Sequence, residues 1–463
     1  MKSRTRLERA GSAYILAILL VAVFVAMAAA LASTADMNAR MGNNLVEVQR
    51  ARWAAESGMN FAVKLIRSVT VPSATTDATI IANLAASLSQ ALEGTANLGG
   101  QSVTHDASTV YVPSISLGSE AFQIRVVRTG PNQLALQSHG TANNVTRVVA
   151  MDLVLTNSWS KSAFSYGVAS YGPITIAGDG QVRGMNQLTE ASVISATNGP
   201  VAISLGGNAV VDGDVSSTGT GTSVVITGSP TIAGSQDPVV MAQHIHFGVN
   251  PPVFPEIDTT VFRDLDIPRT VIDKSTNTGT PGMVFDNPLI KAGTNPTFSS
   301  DVVLNGVVYV EAPNIVTFTA KVTLNGMVAT EQSDQPIESC KLSFTGQLVA
   351  NGISSLPDLP QYEEAKALDG TFIVAPSFDV SFTGQFTAIN GTIAADKLSF
   401  SGEASGTVEG SVIGLQDTSM YVGGEINIII DRSGEGCPPP GFSLPLSLDV
   451  VPRSYREVTG PEA

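Results

Sequence analysis

The chain has 463 residues, of which 14% are charged and 6% aromatic, with 43 glycines and a formal net charge of −15. So acidic a chain is excluded as a basic nucleic-acid binder, and at 43% hydrophobic it is too apolar to be wholly disordered. Few charges, few aromatics and much Gly, Ser, Thr and small aliphatic residue predict extended β-structure with tight turns, at about three average domain lengths.

The charge is unevenly placed. Lys2, Arg4, Arg6 and Arg9 against Glu8 give the first twelve residues +3, which leaves −18 for the rest. Between Arg9 and Asp36 no residue is charged, and Ala13 to Ala32 is almost entirely apolar. Twenty residues at ~1.5 Å rise span a ~30 Å hydrocarbon core, and the run is longer than the ~7–15 residues usual in a signal-peptide core. The sequence predicts a cytoplasmic basic segment (1–12) and a single transmembrane helix (13–35), with the C-terminal bulk on the far side of the membrane. A secretory signal cleaved after Ala30-Leu31-Ala32 is the rival reading.

From Asp36 to Arg67 there is no proline, and Met41, Leu45, Val48, Ala55, Met59, Ala62 and Ile66 mark one helical stripe interrupted by Arg52. One continuous helix from inside the bilayer to about residue 67 is predicted, with a helix extension at 36–70 and weak points at Gly42 and Gly58.

Several features then coincide in order: a basic start, Arg-Ala-Gly-Ser at Arg9 to Ser12, a hydrophobic run, Ala39-Arg40-Met41-Gly42-Asn43-Asn44, and Ala54-Ala55-Glu56-Ser57-Gly58-Met59. This stretch resembles the N-terminal region of PilX-type minor pilins, over roughly a tenth of the chain. The resemblance implies an inner-membrane anchor, its C-terminal bulk periplasmic or extracellular, able to join a type IV pilus or secretion pseudopilus, with other pilin or pseudopilin subunits and a prepilin peptidase as partners. It also implies Gly11 as the prepilin processing site and Ser12 as the first mature residue; a juxtamembrane turn is the other reading of Gly11. Leu16 would be the fifth mature residue, where major pilins carry a glutamate.

Residues 71–160 read as a pilin-like α/β unit: helical composition from Ala78 to Leu92, then alternating runs at Phe122–Val126, Leu134–Leu136 and Val145–Leu155. Turn signals stand between them at Thr129-Gly130-Pro131-Asn132 and Asn143-Asn144. From 161 to 240 short Val/Ile/Thr/Ser runs end in glycine, a β-repeat segment. A proline-rich irregular segment occupies 241–300, opening at Asn250-Pro251-Pro252. In 301–436, Leu304-Asn305-Gly306 recurs as Leu324-Asn325-Gly326, and Ser343-Phe344-Thr345-Gly346 recurs as Ser381-Phe382-Thr383-Gly384, with Phe400-Ser401-Gly402 beyond. Repeats of 18 to 20 residues suit one coil of a β-helix, in which Phe344, Phe382 and Phe400 would stack as a ladder; a β-sandwich is the alternative. Leu356-Pro357-Asp358-Leu359-Pro360 and Gln361 to Leu368 read as a loop with a helical turn or two, excluded from the coil. The C-terminal half resembles the uncharacterised β-repeat domain attached to PilX-like N-termini in bacterial envelope proteins. Residues 437–463 read as a C-terminal tail ending the solenoid as an irregular strip. The predicted fold is thus mainly β with a long N-terminal α-helix, a pilin-like helix plus antiparallel meander, then a β-helix or solenoid-like repeat domain.

Sites of chemistry are scarce. HExxH, CxxC, GxSxG and Walker motifs are missing. Gly178 to Gly184 spaces its glycines as turns do. His244-Ile245-His246 puts two imidazoles on one strand face, a zinc-compatible geometry without an evident third ligand. Asp212-Gly213-Asp214 reads as a turn more readily than a Ca²⁺ site. The expectation is therefore no catalytic, cofactor-binding or metal residue, no cofactor and no nucleic-acid partner. Cys340 and Cys437, the two cysteines, form a disulfide or remain two buried thiols. A non-enzymatic pilin-like envelope protein displaying a β-repeat domain for pilus assembly, adhesion or secretion is the favoured function. A membrane-anchored β-helix enzyme acting on polysaccharide is the alternative, and no cluster of Lys/Arg bases stands in the repeats to favour it.

Overall fold

In a computed structural model of the chain, the structure describes residues 5–157, 159–221, 223–431 and 438–458, with side chains from residue 14 onward. The chain is mainly β with one long N-terminal helix, and it divides into two compact units. The first comprises the residues up to Val69, Thr76–Leu155 and those from Leu448 onward; the second comprises Thr70–Thr75 and Thr156–Ser447.

In the first unit α1 runs unbroken over Thr5–Ile66, about 90 Å at ~1.5 Å per residue. Its apolar run is exposed throughout and is the one described helix long and apolar enough to cross a membrane. The predicted amphipathic stripe divides in two. Met41 and Leu45 are exposed, whereas Ala51, Ala54, Ala55, Met59, Ala62 and Ile66 are buried beneath an antiparallel sheet of Thr109–Leu117, Glu120–Gly130, Gln133–Ala142 and Val145–Asn157. Small residues set how close helix and sheet lie. A Cβ on Gly58 would run into the Phe122 ring and Ser138 Oγ, and one on Gly140 into the main chain at Ala51 and Ala55. Gly58 is therefore a packing requirement, not a weak point. Gly42 has open space around it, and the helix continues through it.

Helix α2 (Ile80–Leu92) buries Ile80, Ile81, Leu84, Leu88 and Leu92. The meander turns fall at the expected signals, with Asn132 (φ 53°) and Asn143 (φ 48°) in the left-handed region that Asn tolerates. The strand Thr109–Leu117 was not legible, because Pro113 interrupts its alternation and the pairing shifts register between Val112 and Ile115. The tail corrects another expectation. Arg456–Val458 is an antiparallel strand on Val148–Ala150, pinned by Arg456 to Asp152 at 2.8 Å, so the chain end completes the meander and does not finish the solenoid.

The second unit is a stack of parallel β-coils. Val302–Val310 and Val322–Thr330 pair residue for residue, Val302 with Val322 through Val310 with Thr330. This register explains the Leu-Asn-Gly repeat. Asn305 donates to Asp286 (2.8 Å), Asn325 to Asn305 (2.8 Å) and Asn351 to Asn325 (2.7 Å), a ladder of amides along the stack. Gly306 (φ 79°) turns the chain where any Cβ would strike the Asn287 side chain, whose Oδ1 accepts from Val307 N.

Phe298, Phe318, Phe344, Phe382 and Phe400 form one buried inward column, with ring centroids 4.8, 5.0, 5.0 and 4.9 Å apart and planes within 11° of parallel. Each step is one coil. Coil length is therefore less regular than the 18–20 residues expected. The 38-residue step from Phe344 to Phe382 is a single coil from which residues 351–370 are excluded, carrying the short helical turns at Ile353–Ser355 and Pro360–Lys366. Beyond Phe400 the same column continues as Val422, Ile176, Leu205 and Ile226.

That continuation departs from chain order. Strand Val168–Ser170, first in the solenoid sequence, lies between Val412–Gly414 and Val193–Ser195. The segments expected as separate repeat regions, 161–240 and 301–436, thus form one stack that the chain enters in its middle. One end of the stack carries Ile245–Phe247 and the other Val271–Ile272 and Met283–Asp286. Residues 248–270, expected as an irregular break, run back between these ends as a strap. Glu256–Ile257 pairs with Phe442–Ser443, and Phe254 and Phe262 are buried over the outward residues Ala169, Ile194, Tyr309, Val374, Ala394 and Ile413. The central ladder is thereby apolar on both faces, as expected of a parallel sheet covered on each side.

Candidate functional site

Gly11 and Ser12 lie within α1, but the described side chains begin at residue 14. Cys340 is fully buried in the core of the coil stack, while Cys437 falls outside the described residues. Gly178 and Gly180 serve turns as expected, with Asn208 donating to Asp179 across adjacent coils at 3.0 Å.

Two motifs that were separate in the sequence meet at one end of the stack. Strand Ile245–Phe247 lies parallel to Val215–Ser217, which brings Asp214 beside both histidines. His244 Nδ1 lies 2.8 Å from Asp214 Oδ1, and His246 Nε2 lies 3.5 Å from Oδ2. Each ring takes a different carboxylate oxygen, so the three groups close on one another instead of opening toward a shared ion. Among the described residues no group of three or more His, Cys, Asp or Glu is placed to hold a metal. All three side chains are well exposed, and such contacts are worth at most ~1 kcal/mol each.

A second constellation sits at one corner of the coil stack and borders a cavity of about 670 Å³. Trp159 and Ser411 line it together with Asp369, Asn390, Glu409 and Asp431. Three successive coils build the polar side from one local pattern: Asp369-Gly370-Thr371-Phe372, Asn390-Gly391-Thr392-Ile393 and Glu409-Gly410-Ser411-Val412. Thr371 pairs with Thr392, Asn390 with Glu409, and Glu409 with Ile429, so Asp369, Asn390 and Glu409 occupy equivalent positions one coil apart. At ~4.8 Å between strands, the two carboxylates are separated by about two coil steps, ~10 Å. The apolar fourth residue of each pattern (Phe372, Ile393, Val412) is fully buried and fixes the corner.

Two aromatic residues, Trp159 and Phe164, also line the cavity. Trp159 stacks on Phe164 at 5.4 Å with planes 9° apart, and Phe164 meets Phe442 edge-on at 5.5 Å. Asp431 is engaged by Asn186 Nδ2 at 3.0 Å. Sequence reading missed this site. The signal was present as an acid or amide, then Gly, then Thr or Ser, then an apolar residue, at spacings of 21 and 19, but two of the three occurrences, Asp-Gly and Asn-Gly, read equally well as ordinary turns.

No protein-family model matches the chain, and no curated protein does. Among solved structures, the chain is similar to the competence-associated pilin ComZ from Thermus thermophilus, at 12% identity and a TM-score of 0.24, over 89% of this chain and 97% of that one. A likeness at that level carries no weight for fold or role, and the architecture stands on the pairing and packing described above.

Proposed function

We propose that this chain is a non-enzymatic, membrane-anchored, pilin-like envelope protein, of the minor-pilin or pseudopilin kind, whose β-helix is displayed for pilus assembly, adhesion or secretion. The observation that carries this reading is α1. A single helix is apolar and exposed from Tyr14 to Leu31, yet fitted to an antiparallel meander by Ala51, Ala55, Gly58 and Ala62 over its last third. A separable signal or a simple tether has no need of such a graded helix. Its first half would sit in the inner membrane or against the helices of neighbouring subunits, while the second carries the outside domain. The PilX-type motifs around Gly11, Gly42 and Gly58 support the finer assignment, and the basic start supports a cytoplasmic N-terminus.

The test is the mature N-terminus. In a host with an active prepilin peptidase, mass analysis of the envelope protein should find a chain beginning at Ser12, and Gly11→Val should abolish it. An intact start in that host refutes pilin-type maturation. Protease added to spheroplasts should digest the β-helix, and its full protection refutes the orientation.

A further inference from the structure

We propose that the corner cavity bordered by Trp159, Asp369, Asn390 and Glu409 binds a neutral, unbranched polysaccharide lying along the axis of the coil stack. The inference goes beyond the anchor reading and stands independently of it.

Four observations carry it. The first is unused hydrogen-bonding capacity: among the described residues, the side chains of Asp369, Asn390 and Glu409 have no hydrogen-bond or ion-pair partner, although neighbouring coils bond such groups to one another in the Asn305–Asn325–Asn351 ladder. The second is their repeat. Three acceptor-rich side chains recur at one strand spacing, ~4.8 Å, a rise close to the length of one pyranose ring, so each coil can address one sugar. A carboxylate or carboxamide is suited to pairs of sugar hydroxyls because it accepts several bonds at once.

The third observation is the floor of the cavity. Gly370 (φ 99°), Gly391 (φ 116°) and Gly410 (φ 155°) stack through the same coils, and a Cβ on Gly391 or Gly410 would press on the main chain of the preceding glycine. Gly391 and Gly410 therefore present bare backbone for close approach by a ring, while Pro439 stands against Gly370 and bounds the row there. The fourth is Trp159, which has one face occupied by Phe164 and borders the cavity with the rest of its indole. An aromatic beside convergent polar groups in a concave site is the usual composition of a small-molecule or sugar site.

Other ligands fit less well. Strand Ser405–Glu409 pairs on both sides, and Ile389–Asn390, which pairs only with it, ends its sheet as an edge of two residues, too short for a peptide to add as a strand. The cavity is lined by three carboxylates, Asp369, Glu409 and Asp431, yet among the described residues no group of three or more His, Cys, Asp or Glu is placed to hold a metal, and Asp369 and Glu409 stand ~10 Å apart with an amide between them. Asp369 and Glu409, on a chain of net charge −15, disfavour uronates, phosphates and nucleic acids.

The experiment uses the full chain in detergent micelles, by affinity electrophoresis through gels containing one polymer at a time. The polymers are mixed-linkage β-glucan and galactomannan as neutral probes, polygalacturonate as the anionic control and chitosan as the cationic one. At least one neutral probe should retard the protein and remain uncut. Asp369→Ala combined with Glu409→Gln should weaken that retardation at least about tenfold, as loss of hydrogen bonds to charged groups implies. Both positions are solvent-accessible, and hydrogen exchange of the core should be unchanged in the variant. Retardation equal in wild type and variant overturns the site, as does indifference to both neutral probes. Retardation by chitosan alone reduces the cavity to a charged surface, and cleavage of a probe overturns binding without chemistry.

Discussion

Removing one ring from the phenylalanine column tests whether the coils are held as a ladder. Phe382 is fully buried, stacked at 5.0 Å on Phe344 and 4.9 Å on Phe400, with Phe386 tilted against it at 5.6 Å. Truncation of a buried Phe to Ala costs ~3–5 kcal/mol. Phe382 also loses two stacked partners, each worth ~0.5–1.5 kcal/mol, which places Phe382→Ala at the upper end, about 4–5 kcal/mol. Because a solenoid coil touches only its neighbours, the loss should stay local. At ~1.4 kcal/mol per decade, amides of residues 340–410 should exchange about a thousandfold faster where exchange follows local opening. The meander at 109–157 should keep its protection. Tyr421→Ala serves as the control: Tyr421 is 38% exposed on a neighbouring strand, and its removal should change stability by no more than ~0.5 kcal/mol. Hydrogen exchange read by mass spectrometry on the full chain decides the matter. Uniform acceleration across both units, or no acceleration at all, refutes the reasoning.

Gly172→Ala attacks the seam where the chain's first coil meets its last, because the new methyl would overlap the main chain of Thr418. It should cost ~1–3 kcal/mol and expose residues 168–176 and 412–422 together to limited proteolysis; cleavage in one segment alone argues against the seam. Gly58→Ala should destabilise the first unit by a similar amount, since its Cβ meets the Phe122 ring, whereas Gly42→Ala, in open helix, should stabilise α1 by ~0.5–1 kcal/mol; circular-dichroism melts that rank the two the other way refute the close packing of helix on sheet. Burial, aided by the Arg125 charge, pushes the His139 imidazole down from 6.5 to about 4. Between those values the unfolded chain binds the proton and the folded chain does not, so this contribution is complete above pH 6.5 and is lost as pH falls toward 4. At most it is about 3 kcal/mol, and denaturant titrations of His139→Gln should lack that acid limb.

Legibility followed the range of the physical signal. The 3.6-residue stripe ending at Ile66, the turn asparagines 132 and 143, and the recurring Phe and Leu-Asn-Gly units were readable because each is set by a local period or a local dihedral. The stripe misled only where periodicity cannot say what covers a face: Met41 and Leu45 look like Met59 and Ile66 in sequence, yet the first pair is bare and the second buried. The Arg456–Val458 strand was invisible because three residues carry no period. The cavity ladder was overlooked because Asp-Gly and Asn-Gly are ordinary turn signals, and only the register between coils shows that Asp369, Asn390 and Glu409 fall in line.

The order of coils was unreadable for a different reason. Parallel pairing within the stack asks each strand only for a bulky apolar inward residue, and Val422, Ile176 and Leu205 satisfy that requirement as interchangeably as neighbours in sequence would. Nothing in residues 168–184 specifies that their partner on one side lies more than 240 positions later, at 412–430. Specificity arises instead from close approaches that only one arrangement allows: Gly167 against Ile430, Gly172 against Thr418 and Gly414 against Ser170. Each of these glycines looks like a turn residue until its partner coil is in place. The same threading has an energetic consequence. A solenoid stacked in chain order would leave the Val168–Ser170 strand as a permanent free edge, an exposure that favours aggregation. Mid-stack entry converts that edge into an interior one, and the described strands at the ends of the stack, such as Val224–Ile226 and Ile245–Phe247, are short. The strap of residues 248–270 is the connection this arrangement requires, since the chain must return from one end of the stack to the other before the second series of coils can grow back toward the first.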